Sequence, residues 1–320
     1  MNFNKKTIFF ISTFIIIFSP ILYLHFNKAK SLGWNNLIRI TVSFIKNSIK
    51  EPKLKNAQSL PSKFEQFSKI FNFFINANKP TPAEGYITEK IGPLKYFTHN
   101  YWNFFPVYNE IFVEKIYYFE TDSTQPFIID CGSNVGTATL FFKLLYPNSK
   151  ILAFEPSSAS FKLLEKNVKI NNLKNISLFQ KALTDKNGTV KIYRTGGTAC
   201  RINDENYYSL PNEIVDTTQL SNYINQPVDL LKMDVEGSET LILQNLDQNK
   251  KLDFVKKIIL EYHHYPHKNF FVTKNSLPKI LKILEKNNFA YQIQANTETI
   301  PFKESKDEKY LLIFAYKNKS

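Results

Sequence analysis

The sequence predicts an α/β domain built on a mainly parallel sheet, and three observations predict it. Short apolar, β-branched runs alternate with amphipathic helical stretches from residue 127 onward. A glycine-bearing turn joins the first such run to the helix behind it, and acidic residues stand where other runs end. With 43% hydrophobic and 15% aromatic residues in a chain of 320, the apolar content is enough for a sizeable core.

The elements follow in order. Phe127–Asp130 reads as a strand, and Thr137–Tyr146 as a helix that Pro147 ends. Lys150–Phe154 is the next strand and stops at Glu155. From Ser157 to Asn171 the apolar positions Phe161, Leu164 and Val168 give helical periodicity, with Ser157 or Ser158 as the cap. Strands are expected at Ile176–Phe179, Thr189–Tyr193, Val228–Met233 and Val255–Tyr262, and helices at Thr240–Leu246 and Ser276–Asn287. Tyr291–Ile293 and Tyr310–Ala315 predict a closing hairpin. Aromatic-rich helical text runs from about Tyr101 to Glu120, after a loop punctuated by Pro80, Pro82, Gly85, Gly92 and Pro93. The domain boundary is placed near Pro80.

Ahead of that boundary the texture differs. Ile8–Phe26 holds no Asp, Glu, Lys or Arg, and as a helix it rises roughly 28 Å, close to a hydrocarbon core. Residues 1–27 are therefore expected to be a retained transmembrane anchor rather than a signal peptide, since no small-x-small cleavage pattern follows. Close flanking charges mildly favour a single-pass membrane protein with its C-terminal side cytoplasmic. Residues 28–79 form a basic stem, either lying near an anionic leaflet or solvated as a linker. Residues 80–320 are expected to form the globular domain.

Charge supports this division. The net charge is +13, but residues 1–79 hold 12 Lys/Arg against 2 acids. Only Arg39, Arg194 and Arg201 among the basic residues are arginines, whereas base-edge readers favour the guanidinium fork. No nucleic-acid partner is expected. The two cysteines, Cys131 and Cys200, exclude a disulfide-dense scaffold, and Cys131 reads as a small buried thiol.

Three strand-end groups carry the chemistry. Asp130-Cys-Gly-Ser-Asn-Val-Gly136 lets the backbone turn tightly before a helix N-terminus, but lacks the glycine spacing of the dinucleotide fingerprint. Glu155, at the end of the next strand, is placed to accept hydrogen bonds from a ribose diol. Asp234 and Glu236 share a face if their strand continues through them, and two such carboxylates are costly to leave without a role.

Together with Phe154-Glu-Pro156, Lys232-Met-Asp-Val-Glu-Gly-Ser-Glu239 and Glu261-Tyr-His263, the glycine turn resembles the FkbM-type methyltransferases over roughly residues 95–315. The resemblance implies a Rossmann-like class I methyltransferase sheet, mostly parallel with a C-terminal antiparallel hairpin, flanked by helices. It implies S-adenosylmethionine as cofactor and O-methylation of a hydroxyl on a sugar, glycan or related metabolite. Carried over by position, Asp130, Gly132, Asn134 and Gly136 surround the methionine part, Glu155 holds the ribose, and Asp185 lies nearer the adenine. Asp234, Glu236 and His263 are the candidate catalytic residues, with His263 or Asp234 as base. No obligatory metal is expected, since neither Asp234/Glu236 nor the His263, His264, His267 group has diagnostic spacing. The rival readings are a membrane-anchored nucleotide-dependent oxidoreductase or sugar-modifying enzyme, and a catalytically silent membrane adaptor.

Overall fold

The computed structural model describes residues 54–56, 59–76, 79–194, 200–202, 212–264, 276–295 and 309–317. In chain order, helix α1 (Lys63–Asn76) precedes the hairpin β1 (Ile87–Ile91) and β2 (Leu94–Thr98), then α2 (Tyr101–Tyr108), which runs on as a π turn over Asn109–Val113. The alternating part follows: β3 (Phe127–Cys131), α3 (Thr137–Leu145), β4 (Lys150–Phe154), α4 (Ser158–Ile170) and β5 (Ile176–Phe179). Next come β6 (Ala182–Thr184), β7 (Gly188–Arg194), β8 (Cys200–Ile202) and β9 (Asn212–Gln219). The chain then returns through β10 (Leu230–Met233), α5 (Glu239–Gln248), β11 (Lys257–His264), α6 (Leu277–Lys286), β12 (Phe289–Ala295) and β13 (Lys309–Lys317).

Seven strands form the main sheet in the order β12-β13-β11-β10-β3-β4-β5. The pairs from β5 through β11 are parallel, and β13 is antiparallel to both β11 and β12. This is the mostly parallel sheet with a C-terminal antiparallel pair that the sequence predicts. Strand order reverses between β3 and β10, where an open sheet leaves a crevice at its carboxyl edge.

Period-two alternation decides what each face buries. Ile128, Ile151, Ala153, Leu230 and Ile259 join one core cluster, packed with Leu140 and Phe141 of α3 and Phe161 and Leu164 of α4. Their neighbours Ile129, Leu152, Leu231, Ile258 and Leu260 join the other, under Ile242 and Leu243 of α5 and Ile280 and Leu284 of α6. Cys131 is buried in the second cluster as a free thiol.

Three features lie outside the predicted element list. The predicted strand Thr189–Tyr193 is β7, but it joins β6, β8 and β9, none of them predicted, in a second, four-stranded sheet, and β1 pairs with β2. Helix α1, which precedes Pro80 and falls in the predicted stem, docks on the domain. Phe73 stacks on Phe105 with ring centres 4.5 Å apart, and Lys69 pairs with Glu89 at 2.5 Å. Among the described residues no helix is long and apolar enough to cross a membrane. The anchor predicted over residues 1–27 lies outside the described residues, as does His267.

Candidate active site

The face alternation that builds the core also builds the site. Asp130, Glu155, Lys232, Glu261 and His263 have the parity of Ile128, Ala153, Leu230 and Ile259, so they project from one face of the sheet at its carboxyl edge. Lys232 is directly opposite Asp130 in the β10–β3 register. Five polar side chains from four adjacent strands thus replace apolar ones along one row.

The glycine turn is fastened to this row by backbone geometry. Gly132 has φ +79°, and a Cβ there would stand 1.7 Å from the carbonyl oxygen of Asp234. Gly136, at φ +92°, lies against Leu164 of α4. The amides of Gly132 and Ser133 both donate to the Phe154 carbonyl, at 3.0 and 2.9 Å. Glu155 accepts from the amides of Asn134 and Ser157, each at 2.8 Å, so its carboxylate ties the turn to the start of α4. Burial pushes the pKa of Glu155 up to about 7, against the downward pull of those amides and of Lys232.

Lys232 is the buried cation of the site. Its Nζ donates to the Gly132 carbonyl at 2.7 Å and lies 3.2 Å from Asp130 Oδ1 and 3.7 Å from Asp234 Oδ2. The ring of Tyr117 covers it at 5.2 Å. Burial alone lowers an ammonium pKa, but Asp130, Asp234 and Glu261 overcome it and hold Lys232 charged. The remaining Asp130 oxygen accepts from Thr139 Oγ1 at 2.7 Å. Tyr117 donates its hydroxyl to Glu261.

The second half of the site centres on His263. Its Nε2 lies 3.8 Å from Asp234 Oδ1 and 3.6 Å from Glu236 Oε2, while Nδ1 lies 3.0 Å from Oε1 of the fully buried Glu239. Burial disfavours the imidazolium, but Glu236, the hydrogen bond with Glu239 and Asp234 outweigh it and hold the pKa well above its ordinary value. Tyr310 stacks obliquely on the ring and donates to Glu110 at 2.8 Å. Burial raises the pKa of Glu110 to about 7. The glycine turn therefore adjoins a partly open cluster of carboxylates, an arrangement suited to a cationic ligand.

The sequence matches the methyltransferase FkbM domain model over residues 130–291, half of the chain. The chain belongs to the FkbM methyltransferase family. It is 29% identical over 212 residues to Methyltransferase 1 of Beauveria bassiana, covering 59% of this chain and 82% of that one. Methyltransferase sdnD of Sordaria araneosa is 28% identical over 192 residues, covering 48% and 73%. A solved FkbM methyltransferase from Methylobacillus flagellatus KT aligns over 88% of this chain and 60% of its own, with 14% identity and a TM-score of 0.43.

Within this FkbM domain most of the predicted site residues come together. Asp130, Gly132, Asn134, Gly136 and Glu155 line or support the turn, and Asp234, Glu236 and His263 meet at the adjoining edge. Asp130 is wholly buried and engaged by Thr139 and Lys232, so it props the turn from beneath. Asp185 is exposed after β6 and belongs to the second sheet rather than to the row. The route by which Asp234 meets Glu236 also differs from expectation. The strand stops at Met233, and the chain reverses through Glu236 at φ +54° and Gly237 at φ +111°. A turn, not a continued pleat, brings the two carboxylates to His263.

Lys232, Glu239 and Tyr117 were not legible as site residues. For Lys232 a signal exists: a lone lysine inside the apolar run Leu230-Leu-Lys-Met233 needs a buried acid, and Asp130 ends another buried strand. Tyr117 carries no such mark, because its contact depends on how the segment after α2 crosses the sheet.

Proposed function

We propose that this methyltransferase uses S-adenosylmethionine to methylate a hydroxyl of a sugar, glycan or related metabolite at a membrane surface. The observation that carries the reading is the contiguity of the glycine turn with the Asp234–Glu236–His263 cluster, through the contact of Gly132 with the Asp234 carbonyl. The donor set fits the cofactor: a left-handed turn ahead of α3 for close backbone approach, the Glu155 carboxylate for a diol, and excess negative charge for a sulfonium. When bound, the cofactor would supply an electrophilic methyl group for an acceptor oxygen, and Gly132, Asn134, Gly136 and Glu155 are the residues that would hold it.

The chain's residues then have to hold, align and deprotonate. Gly132, Asn134 and Gly136 shape the turn, and Lys232 pins its carbonyl side. Alignment of the acceptor in line with the methyl group supplies much of the acceleration. The acceptor proton passes to the carboxylates of Asp234 and Glu236, beside the imidazole of His263. Its Asp234 and Glu236 side chains are 28% and 23% exposed, enough for an acceptor to reach them. The apolar segment Ile8–Phe26 and the basic residues after it support the membrane location and the cytoplasmic placement of the domain.

Calorimetry is expected to show binding of S-adenosylmethionine and none of NAD, with Glu155→Ala weakening the former at least about tenfold through loss of charge-assisted bonds. Because diol hydroxyls donate to the ionised carboxylate, wild-type affinity should rise as pH passes through about 7, the Glu155 pKa, and the variant should lack that rise. NAD binding without S-adenosylmethionine binding would sink the reading. In a membrane extract, labelled methyl groups are expected in a glycan or lipid-linked fraction. His263→Ala should retain cofactor binding while turnover falls by about 10²–10⁴-fold. Full activity of that variant would show that Asp234 and Glu236 take the proton without help from the imidazole.

A further inference from the structure

We propose that Asp234, Glu236 and His263 form a divalent-cation site for an ion of the Mn²⁺ class, with Glu239 orienting the imidazole from behind. The binding claim stands on the geometry alone, and only the use of the ion rests on the methyltransferase reading. One ligand atom from each of the three residues can be chosen such that all lie within 4.8 Å of one another. His263 Nε2 is 3.8 Å from the Asp234 oxygen and 3.6 Å from the Glu236 oxygen. These separations exceed a hydrogen bond. They fall between the ~3.0 Å of neighbouring ligands and the ~4.2 Å of opposite ligands around an ion bound at about 2.1 Å.

The other ring nitrogen supplies an independent observation. A metal-ligating histidine characteristically gives its remaining N–H to a carboxylate, which fixes the tautomer and aims the lone pair. Nδ1 of His263 meets the fully buried Glu239 at 3.0 Å, leaving Nε2 as the nitrogen directed at Asp234 and Glu236. Glu239 is itself held by the Gly237 amide at 3.0 Å. Three carboxylates thus face one imidazole, and the ammonium of Lys232 is shared by Asp130 and Asp234. A divalent ion balances that charge better than a single ring proton does.

The donor set selects the ion. Two carboxylates and one imidazole are mixed hard and borderline ligands, with no thiolate, which suits Mn²⁺ or a similar ion over a soft metal. Three protein ligands leave open positions, and the partial exposure of Asp234 and Glu236 puts them on the acceptor side. An acceptor hydroxyl held there stands beside the carboxylate oxygens of Asp234 and Glu236 that do not ligate the ion, and these receive its proton. This departs from the expectation, drawn from spacing alone, that no metal is required.

The test titrates Mn²⁺ into the full-length chain and follows free Mn²⁺ by electron paramagnetic resonance, with S-adenosylmethionine binding measured on the same sample. One saturable Mn²⁺ per chain is expected. Glu236→Gln and His263→Ala should each weaken uptake at least about tenfold, and Glu239→Gln by about 10–100-fold. Thermal melting checks folding; if the buried-residue variants unfold, the partly exposed Glu236→Gln decides. No saturable uptake below about 1 mM, weaker than the ~10⁻³ M limit of low-affinity cation sites, overturns the site, as does unchanged uptake in Glu236→Gln. Cofactor binding without Mn²⁺ uptake removes the metal and leaves the methyltransferase reading. Mn²⁺ uptake without cofactor binding does the reverse.

Discussion

Replacing Lys232 with methionine is expected to lower the unfolding free energy by about 3–5 kcal/mol, the range for removing one partner from a buried ionic network. Methionine keeps the length and apolar stem of the side chain, so packing changes little. The loss is electrostatic. Asp130, fully buried, would keep only the Thr139 hydroxyl, and the Gly132 carbonyl would lose its donor. Urea denaturation measures the change, and a loss below about 1 kcal/mol would show that the acids relax without their cation. Adding Asp130→Asn should recover part of the deficit, because the two side chains are directly coupled. The pH dependence has a defined sign. The pKa of Lys232 is raised above its ordinary 10.5, so its contribution is fully present below that value and is lost only as pH rises through the higher folded value. Across the neutral range the part of the defect owed to Lys232 should therefore be flat.

The second large effect is expected at Gly132. Alanine there must adopt φ +79° and place its Cβ 1.7 Å from the Asp234 carbonyl oxygen and 2.8 Å from the carbonyl carbon. Those are backbone atoms at the end of β10, which cannot swing aside as a side chain does. Either the turn lifts off β10 or the end of β10 shifts, and both separate the turn from the carboxylate cluster. Gly132→Ala should weaken S-adenosylmethionine binding about a hundredfold, ~2.7 kcal/mol, when measured by calorimetry. Gly85→Ala is the matched control. Gly85 has a similar φ of +77° but nothing within 4 Å of its would-be Cβ. It should show the backbone strain, about 1–3 kcal/mol, without loss of cofactor affinity. Equal affinity losses in the two variants would mean that strain, not close approach, governs the turn.

The elements from β3 to α4 were legible because local pattern is enough for them. An apolar run of four or five residues, a turn and an amphipathic stretch each declare themselves within a short window. The predicted strands Lys150–Phe154 and Ile176–Phe179 coincide with β4 and β5. Of the four-stranded sheet only β7 was legible, at Thr189–Tyr193, because the other strands are short or mixed in polarity. β6 has three residues, and β9 alternates only in part, with the burial of Asn212–Gln219 set by β6 and β7 on either side. Helix α1 was hidden by its lysines, since a basic amphipathic segment reads equally as a stem or as a docked helix until its partners Phe105 and Glu89 are known.

The site divides along the same line. Sequence alone determined which residues stand at strand ends, whereas the register between strands decided that Asp130, Lys232, Glu261 and His263 project from one face. Sequence also placed the glycine turn before a helix and distinguished it from a dinucleotide fingerprint. Tertiary structure decided which strand ends are neighbours. The reversal of strand order sets β10 against β3, so that Lys232 meets Asp130, and the left-handed backbone at Glu236 folds its carboxylate back toward His263 on β11. Spacing along the chain carries neither fact, because strand order and the direction of a turn are settled by packing across the whole sheet.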